Sequence, residues 1–131
     1  MGCDIHVYVE KKIDDEWVYV WSPTYYSYTV DNEERRNYRR FSELAGVRRD
    51  MKSVYREPLG LPDDASGGVI YHAKEWGPDG HSHSYMGMKE AKEVWKKTSH
   101  EPKKFYPFES LCNDEYGDDL DDYRVVFWFD N

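Results

Sequence analysis

The stretch Tyr123-Arg-Val-Val-Phe-Trp-Phe129 decides the fold, because almost every residue in it is apolar and most are β-branched or aromatic. Residues of these types fit the pleated surface of a strand. A nearly continuous apolar run is typical of a strand that is covered on both faces, whereas a half-exposed strand alternates. We therefore predict that this stretch forms a central strand of a sheet.

A second strand is predicted at residues 4–10, where apolar and polar residues alternate. Successive side chains of a strand point to opposite faces. One face carries Ile5, Val7 and Val9, and the other carries Asp4, His6, Tyr8 and Glu10. Residues 16–22 alternate in the same way after a polar stretch at 11–15, which is a common length for a hairpin loop. These two segments predict a β-hairpin.

Two helices are predicted from apolar periodicity. The first follows Asn37, a good N-cap residue, and ends at Gly46, which suits the left-handed position after a helix. The second spans about 88–98 and follows Gly87. In each helix the apolar residues are spaced to form one buried face. The first face consists of Tyr38, Phe41, Leu44 and Ala45. The second consists of Met88, Ala91, Val94 and Trp95.

Residues 49–87 are punctuated by glycine and proline, and we predict little regular structure there. Long loops of this kind inside a compact domain are usually binding or active-site loops. The elements together predict a single α+β domain over residues 1–131. Its antiparallel sheet is built from the N-terminal hairpin and the C-terminal strand, with two packed helices and long functional loops.

Charge and composition restrict the class of function. The net charge of −8 argues against generic nucleic-acid binding, which needs a basic surface to neutralise phosphates. No stretch approaches the ~18 apolar residues of a membrane span, and no signal-peptide pattern is present. We therefore expect a cytoplasmic protein with no membrane partner. A zinc ribbon is not expected, because the chain has two cysteines and no Cys-x-x-Cys.

The candidate site joins two polar clusters that are far apart in the sequence. Asp4 and His6 share the polar face of the first strand. The imidazoles of His81 and His83 point the same way if that segment is extended. Carboxylate and imidazole suit zinc or manganese, so we predict that these side chains bind Zn²⁺ or Mn²⁺ with a water in an open position. If the last strand pairs antiparallel with the first, Asp130 approaches Asp4.

Other residues near the two clusters are candidates for proton transfer or substrate binding. Asp64 and Asp79 are the candidate acid–base residues. Arg36 and Arg40 belong to a basic stretch and are candidates to neutralise substrate charge, and Trp76 is the candidate aromatic contact. The plainer alternative is that the basic stretch is a solvated face.

Each residue also has an ordinary structural interpretation. A single histidine in a strand is most often structural or exposed, and an aspartate beside glycine and proline is typical of a turn. The concentration of histidines favours a shared site, because His6, His72, His81 and His83 fall in or beside the two clusters and only His100 lies outside.

Several motifs together resemble a family of small, mostly uncharacterised proteins of bacteriophage and prophage genomes. They are Cys3-Asp-Ile-His6, Arg36-Asn-Tyr38, Gly60-Leu-Pro-Asp-Asp64, Asp79-Gly-His-Ser-His-Ser84 and Arg124-Val-Val-Phe-Trp-Phe-Asp-Asn131. The chain departs from the family at Gly87, where the family usually has threonine. The resemblance implies a phage origin and a common fold, and it implies no reaction.

Two classes of function follow from these observations. The leading hypothesis is a phage accessory protein that acts as a metal-dependent hydrolase on a small-molecule phosphoester or nucleotide. The alternative is a non-enzymatic phage protein that binds a host protein or sequesters a small, nucleotide-like ligand. A third possibility is that the histidine cluster is purely structural.

Overall fold

A computed structural model of the protein describes residues 2–22, 36–49, 55–98 and 119–130. Within these ranges the elements are β1 (Asp4–Ile13), β2 (Glu16–Trp21), α1 (Tyr38–Ala45), α2 (Gly67–Trp76), a 3₁₀ turn (Gly77–Asp79), β3 (His81–Gly87), α3 (Met88–Thr98), a second 3₁₀ turn (Leu120–Asp122) and β4 (Tyr123–Asp130). None of the helices in the described ranges is long and apolar enough to cross a membrane.

The strands form one antiparallel sheet in the order β2-β1-β4-β3. β4 lies between β1 and β3, and Tyr123 to Phe129 are all buried. This confirms the central strand that the apolar run predicted. The β1–β4 register runs from Asp4 opposite Asp130 to Lys11 opposite Tyr123, so the start of β1 meets the end of β4.

Helices cover both faces of the sheet. On one face, α1 and α3 pack over the larger core, whose buried residues include Val7, Val9, Phe41, Leu44, Met88, Ala91, Trp95, Val125, Phe127 and Phe129. On the other face, α2 packs over a smaller core of Tyr8, Val69, Val126 and Trp128. The α+β class, with the hairpin and the C-terminal strand in one antiparallel sheet, is therefore confirmed.

Both predicted helices are present. The side chain of Asn37 accepts a hydrogen bond from the backbone N–H of Arg40, which caps α1, and Gly46 ends this helix with φ 68°. A side chain at that φ is strained, which explains the glycine. The second predicted helix is α3, and its buried residues Met88, Ala91, Val94 and Trp95 are the predicted stripe.

The prediction of little regular structure at 49–87 was wrong for residues 67–87, which form α2, a 3₁₀ turn and β3. Gly67 and Gly68 lie at the start of α2, where their low helix propensity argued against a helix. Gly68 is partly explained by close packing, because a Cβ there would lie 2.9 Å from the Cβ of Tyr19 on β2. The hydroxyl of Ser66 caps α2 by accepting from the N–H of Val69. Residues 50–54 of this segment, like 23–35 and 99–118, lie outside the described residues.

A buried ion pair anchors the start of α2 to the sheet. Arg124 Nε donates to Glu10 Oε1 at 2.6 Å, and the backbone N–H of Ser66 donates to Glu10 Oε2 at 2.6 Å. The guanidinium also donates to Asp64 Oδ1 at 2.9 Å and lies 4.1 Å from the ring centroid of Trp17. Because Ser66 is the N-cap of α2, this ion pair sets where the helix begins on the sheet.

Candidate functional site

The candidate site lies where β1 begins and β4 ends, on the face of the sheet that α2 covers. Asp4 is paired with Asp130 and His6 with Trp128 across the two strands. Paired residues of antiparallel strands place their side chains on the same face, with Cβ atoms about 5 Å apart. The expectation that Asp130 approaches Asp4 is confirmed by this register.

His6 and Asp130 form a carboxylate–imidazole pair. The distance from His6 Nε2 to Asp130 Oδ2 is 3.1 Å, and the two side chains are 11% and 22% exposed. A carboxylate can only accept, so Nε2 carries the hydrogen and a neutral ring keeps its free lone pair on Nδ1. The ring of His6 stacks on Trp76 with 4.0 Å between centroids. Trp76 is the last residue of α2, so the helix end holds the imidazole in place.

Arg36 and Asp4 form a second ion pair at the same end of the sheet. Arg36 Nε donates to Asp4 Oδ1 at 2.9 Å, and Nη2 donates to Oδ2 at 3.5 Å. The Arg36 side chain is 39% exposed, so an anion from solvent can reach it. Its hydrogen bond to Asp4 raises the pKa of Arg36 further, which keeps the guanidinium charged at every physiological pH.

Arg40, the other predicted substrate-binding arginine, is buried between α1 and α3. Its Nε donates to the hydroxyl of Thr98 at 2.9 Å, and Nη2 donates to the carbonyl of Trp95 at 3.3 Å. The guanidinium also lies over the Trp95 ring, 5.2 Å from its centroid. Lysine and arginine often bind the last carbonyls of a helix, and the structure places Arg40 in that position at the end of α3.

His81 and His83 do not point the same way, because β3 contains a β-bulge. The register shifts between His81, opposite Phe129, and Ser84, opposite Phe127, and Ser82 has φ 56°. One extra residue reverses the alternation. His81 therefore shares the face of Phe129, whereas the ring of His83 lies 5.4 Å from that of Trp128. The expectation of parallel imidazoles was wrong for this reason.

Gly80 packs closely against three side chains beside the His6–Asp130 pair. A Cβ at this residue would lie 3.2 Å from Trp128 Cδ1, 3.4 Å from Trp76 Cβ and 3.6 Å from His83 Nε2. A side chain at residue 80 would therefore press against Trp76, His83 and Trp128. Burial, and then the charge of His81, lower the pKa of His83, so this imidazole is neutral near pH 7. The two ion pairs, together with the side chains of Trp76, His83 and Trp128, are called the His6 site below.

Of the two predicted acid–base residues, Asp64 lies away from the His6–Asp130 pair and Asp79 lies in the turn just before Gly80. Asp64 binds Arg124, and this arginine is six residues from Asp130 in β4, about 20 Å along the strand. The hydrogen bond from Arg124 lowers the pKa of Asp64. Asp79 is the exposed last residue of the 3₁₀ turn. The His6 site therefore contains predicted residues Asp4, His6, Arg36, Trp76 and His83, but not Asp64 or Arg40.

The predicted metal ligands are not grouped as expected. Among the residues that the structure describes, no three His, Cys, Asp or Glu side chains are placed to hold a metal ion. Asp4 is bound to Arg36 and His6 Nε2 to Asp130, while the bulge separates His81 from His83. Zinc or manganese binding by Asp4, His6, His81 and His83 stays a prediction.

Sequence reasoning missed Trp128 as a site residue. Its position in an apolar run predicted only a core side chain. The usable signal was the pairing of strands: once Asp130 is set opposite Asp4, Trp128 falls opposite His6.

A scan against protein-family models and searches of curated proteins and of solved structures each found no match to this chain. The chemistry of the site therefore rests on its own residues. A histidine oriented by a carboxylate suits general acid–base catalysis, the exposed face of Arg36 suits an anion, and the partly buried Trp76 offers aromatic surface.

Proposed function

We propose that the protein is a phage accessory hydrolase that acts on a small phosphoester or nucleotide, with the His6–Asp130 dyad as its acid–base group. The single observation that carries this proposal is the 3.1 Å contact between His6 Nε2 and Asp130 Oδ2 at a site lined by Trp76. The dyad replaces Asp64 and Asp79 in the acid–base role.

The dyad supplies a base of fixed orientation. Asp130 holds the ring through Nε2, and the described residues make no second hydrogen bond to the His6 ring. Nδ1 is therefore the atom that takes a proton from an attacking water. Asp130 stabilises the imidazolium that results, as a carboxylate does beside a catalytic histidine.

The residues around the dyad match a phosphate-bearing ligand. Arg36 brings a partly exposed positive charge to the end of the sheet that carries Asp4 and Asp130. A guanidinium binds phosphate through two parallel hydrogen bonds. Such a ligand exchanges places with the Asp4 carboxylate on Arg36, which frees Asp4 within the site.

Turnover of a panel of phosphomonoesters, phosphodiesters and nucleotides tests the proposal. Asp130→Asn is expected to lower kcat about a hundredfold or more with little change in KM, because general acid–base groups contribute on that scale. Asp15→Asn is the matched control, since Asp15 is an exposed hairpin-turn residue with φ 65°, a conformation that asparagine tolerates. Equal rates for both variants would remove the dyad from the mechanism.

Metal dependence is measured in the same assay. Activity that is lost in chelator and restored by Zn²⁺ or Mn²⁺ supports the metal-dependent form of the reaction. In that case His6→Asn must weaken metal binding in a direct titration, because His6 is one of the four predicted ligands. Full activity in chelator supports the dyad acting alone.

The non-enzymatic alternative has one observation in its favour. Tyr8 stacks on Trp128 in the smaller core with 4.6 Å between centroids, and the partly buried Trp76 packs against this core. The ring of Trp76 suits stacking on a nucleotide base without chemistry. Saturable binding of a nucleotide with no product after long incubation identifies sequestration instead of hydrolysis.

A further inference from the structure

Ser82 has a strained backbone inside a strand. Its φ is 56°, in the left-handed region that glycine adopts freely and that a residue with a side chain rarely adopts. The strain belongs to the bulge in β3, because the pairs with β4 pass from His81 directly to Ser84 and leave Ser82 outside the ladder. Glycine is the usual residue at a left-handed bulge position. Strained residues cluster at active sites, so a serine kept at this position indicates a role for its hydroxyl group.

The hydroxyl group of Ser82 lies within hydrogen-bond distance of a base. The distance from His81 Nδ1 to Ser82 Oγ is 3.0 Å. In a neutral imidazole with its hydrogen on Nε2, Nδ1 is an acceptor, and the serine hydroxyl is then the donor. Such a contact is the structural signature of a nucleophile and its general base. Both residues are partly exposed, so the pair borders solvent.

The Ser82–His81 pair is separate from the His6–Asp130 dyad. The bulge sets His81 on the face of Phe129, with 6.4 Å between the ring centroids, whereas His6 stacks under α2 on the other face. Arg36, the residue that suits a phosphate, binds Asp4 on the His6 face. A pair beside an aromatic ring and away from that guanidinium suits a neutral ester better than a phosphoester.

We propose that Ser82 is an activated nucleophile, with His81 as its general base, that takes the acyl group of a small carboxylic ester. Ser82 Oγ bonds to the carbonyl carbon while its proton passes to His81 Nδ1. The bond from that carbon to the alcohol oxygen then breaks, and the alcohol leaves with the proton from Nδ1. In the second step water attacks the acyl group, Nδ1 takes the proton of the water and gives it to the serine oxygen, and the carboxylic acid is released.

Two serine-directed reagents test this activity, which does not depend on the proposed function. p-Nitrophenyl acetate transfers an acetyl group to an activated serine, and a fluorophosphonate transfers a phosphonyl group with loss of fluoride. We expect a burst of about one equivalent of p-nitrophenolate per protein before slower turnover. Peptide mapping by mass spectrometry should place both groups on Ser82. Folded wild-type protein in which Ser82 stays unmodified would overturn the proposal.

A pair of histidine variants tests the base. His81→Gln is expected to lower the rate of acetylation of Ser82 at least about a hundredfold, a usual contribution of a general base. His72→Gln is the matched control, because His72 is also partly exposed but lies on α2, and its rate should equal that of the wild type. If His81→Gln reacts as fast as the wild type, the pair is not a nucleophile and its base.

Ser82→Gly tests whether the strained serine is kept for its hydroxyl group. Glycine adopts this φ without steric cost, so the urea midpoint of the variant should equal or exceed that of the wild type while labelling at residue 82 disappears. Ser82→Asn is the second variant, because asparagine also tolerates the left-handed region. Midpoints well below that of the wild type in both variants would show that the serine serves stability, and the argument from strain would fail.

Discussion

Replacing Glu10 with alanine is expected to lower the free energy of unfolding by about 3–5 kcal/mol, the usual cost of removing one partner from a buried ion pair. Glu10 is 0% exposed, and it accepts hydrogen bonds from both Arg124 and the backbone of Ser66. The alanine variant leaves the guanidinium in the interior with Asp64 as its remaining carboxylate. A domain of this size has about 5–15 kcal/mol of stability in total, so the loss is a large fraction.

Urea unfolding, followed by tryptophan fluorescence and by circular dichroism, measures this change. The midpoint should fall with little change in the slope m. Glu10→Gln keeps the shape and one acceptor, so about 1–3 kcal/mol is expected for it. Asp64→Asn is the comparison for the exposed half of the network: its side chain is 68% exposed, and solvent screens such pairs, so its loss should be far smaller.

A functional readout accompanies the stability measurement. Glu10 holds Ser66 at the start of α2, and Trp76 at the end of the same helix stacks on His6. Ligand affinity at the His6 site should therefore weaken in Glu10→Ala under conditions where the variant is still folded. A loss below about 1 kcal/mol, or one no larger than that of Asp64→Asn, would refute the view that this buried pair anchors α2.

Further predictions concern pH and packing. Burial lowers the pKa of His83 in the fold, so the unfolded chain binds more protons than the folded chain as the pH falls below about 6.5, and the free energy of unfolding should decline there. Between pH 7 and pH 5 the free energy of unfolding of His83→Gln should decline less than that of the wild type. An equal decline in both proteins would contradict this. The hydrogen bond from Arg124 lowers the pKa of Asp64 in the fold. The ionised Asp64 therefore stabilises the fold above about pH 4, and this stabilisation is lost as the pH falls through the lowered pKa of the folded state. The difference in Tm between wild type and Asp64→Asn should shrink in acid, and a constant difference would argue against it. Gly68→Ala should lower the free energy of unfolding by about 1–3 kcal/mol, because the added Cβ would lie 2.9 Å from the Cβ of Tyr19. Gly67→Ala is the control, because nothing lies within 4 Å of its Cβ position. Equal urea midpoints for the two variants would contradict the close approach.

Local pattern in the sequence was sufficient for most of the fold. Alternation placed His6 on the face opposite Val7, a continuous apolar run placed β4 at the centre of the sheet, and Asn37 and Gly46 marked the ends of α1. These features depend on neighbours within a few residues, which is why a sequence can show them. Helix α2 escaped prediction because its glycines, which local propensity disfavours, are tolerated by packing against β2.

Sequence alone shows that histidine and carboxylate side chains cluster at residues 4–6 and again at residues 79–83. Which of these side chains meet depends on how the strands pair. The β1–β4 register set Asp130 beside His6, and the bulge at Ser82 turned His81 away from His83. A one-residue shift moves a side chain to the other face of a sheet, and the strand pairs that set such a shift join residues 37 to 126 positions apart, from Gly87–Arg124 to Asp4–Asp130. The same pairing placed Trp128 opposite His6, a contact that follows only once the register of β1 and β4 is known.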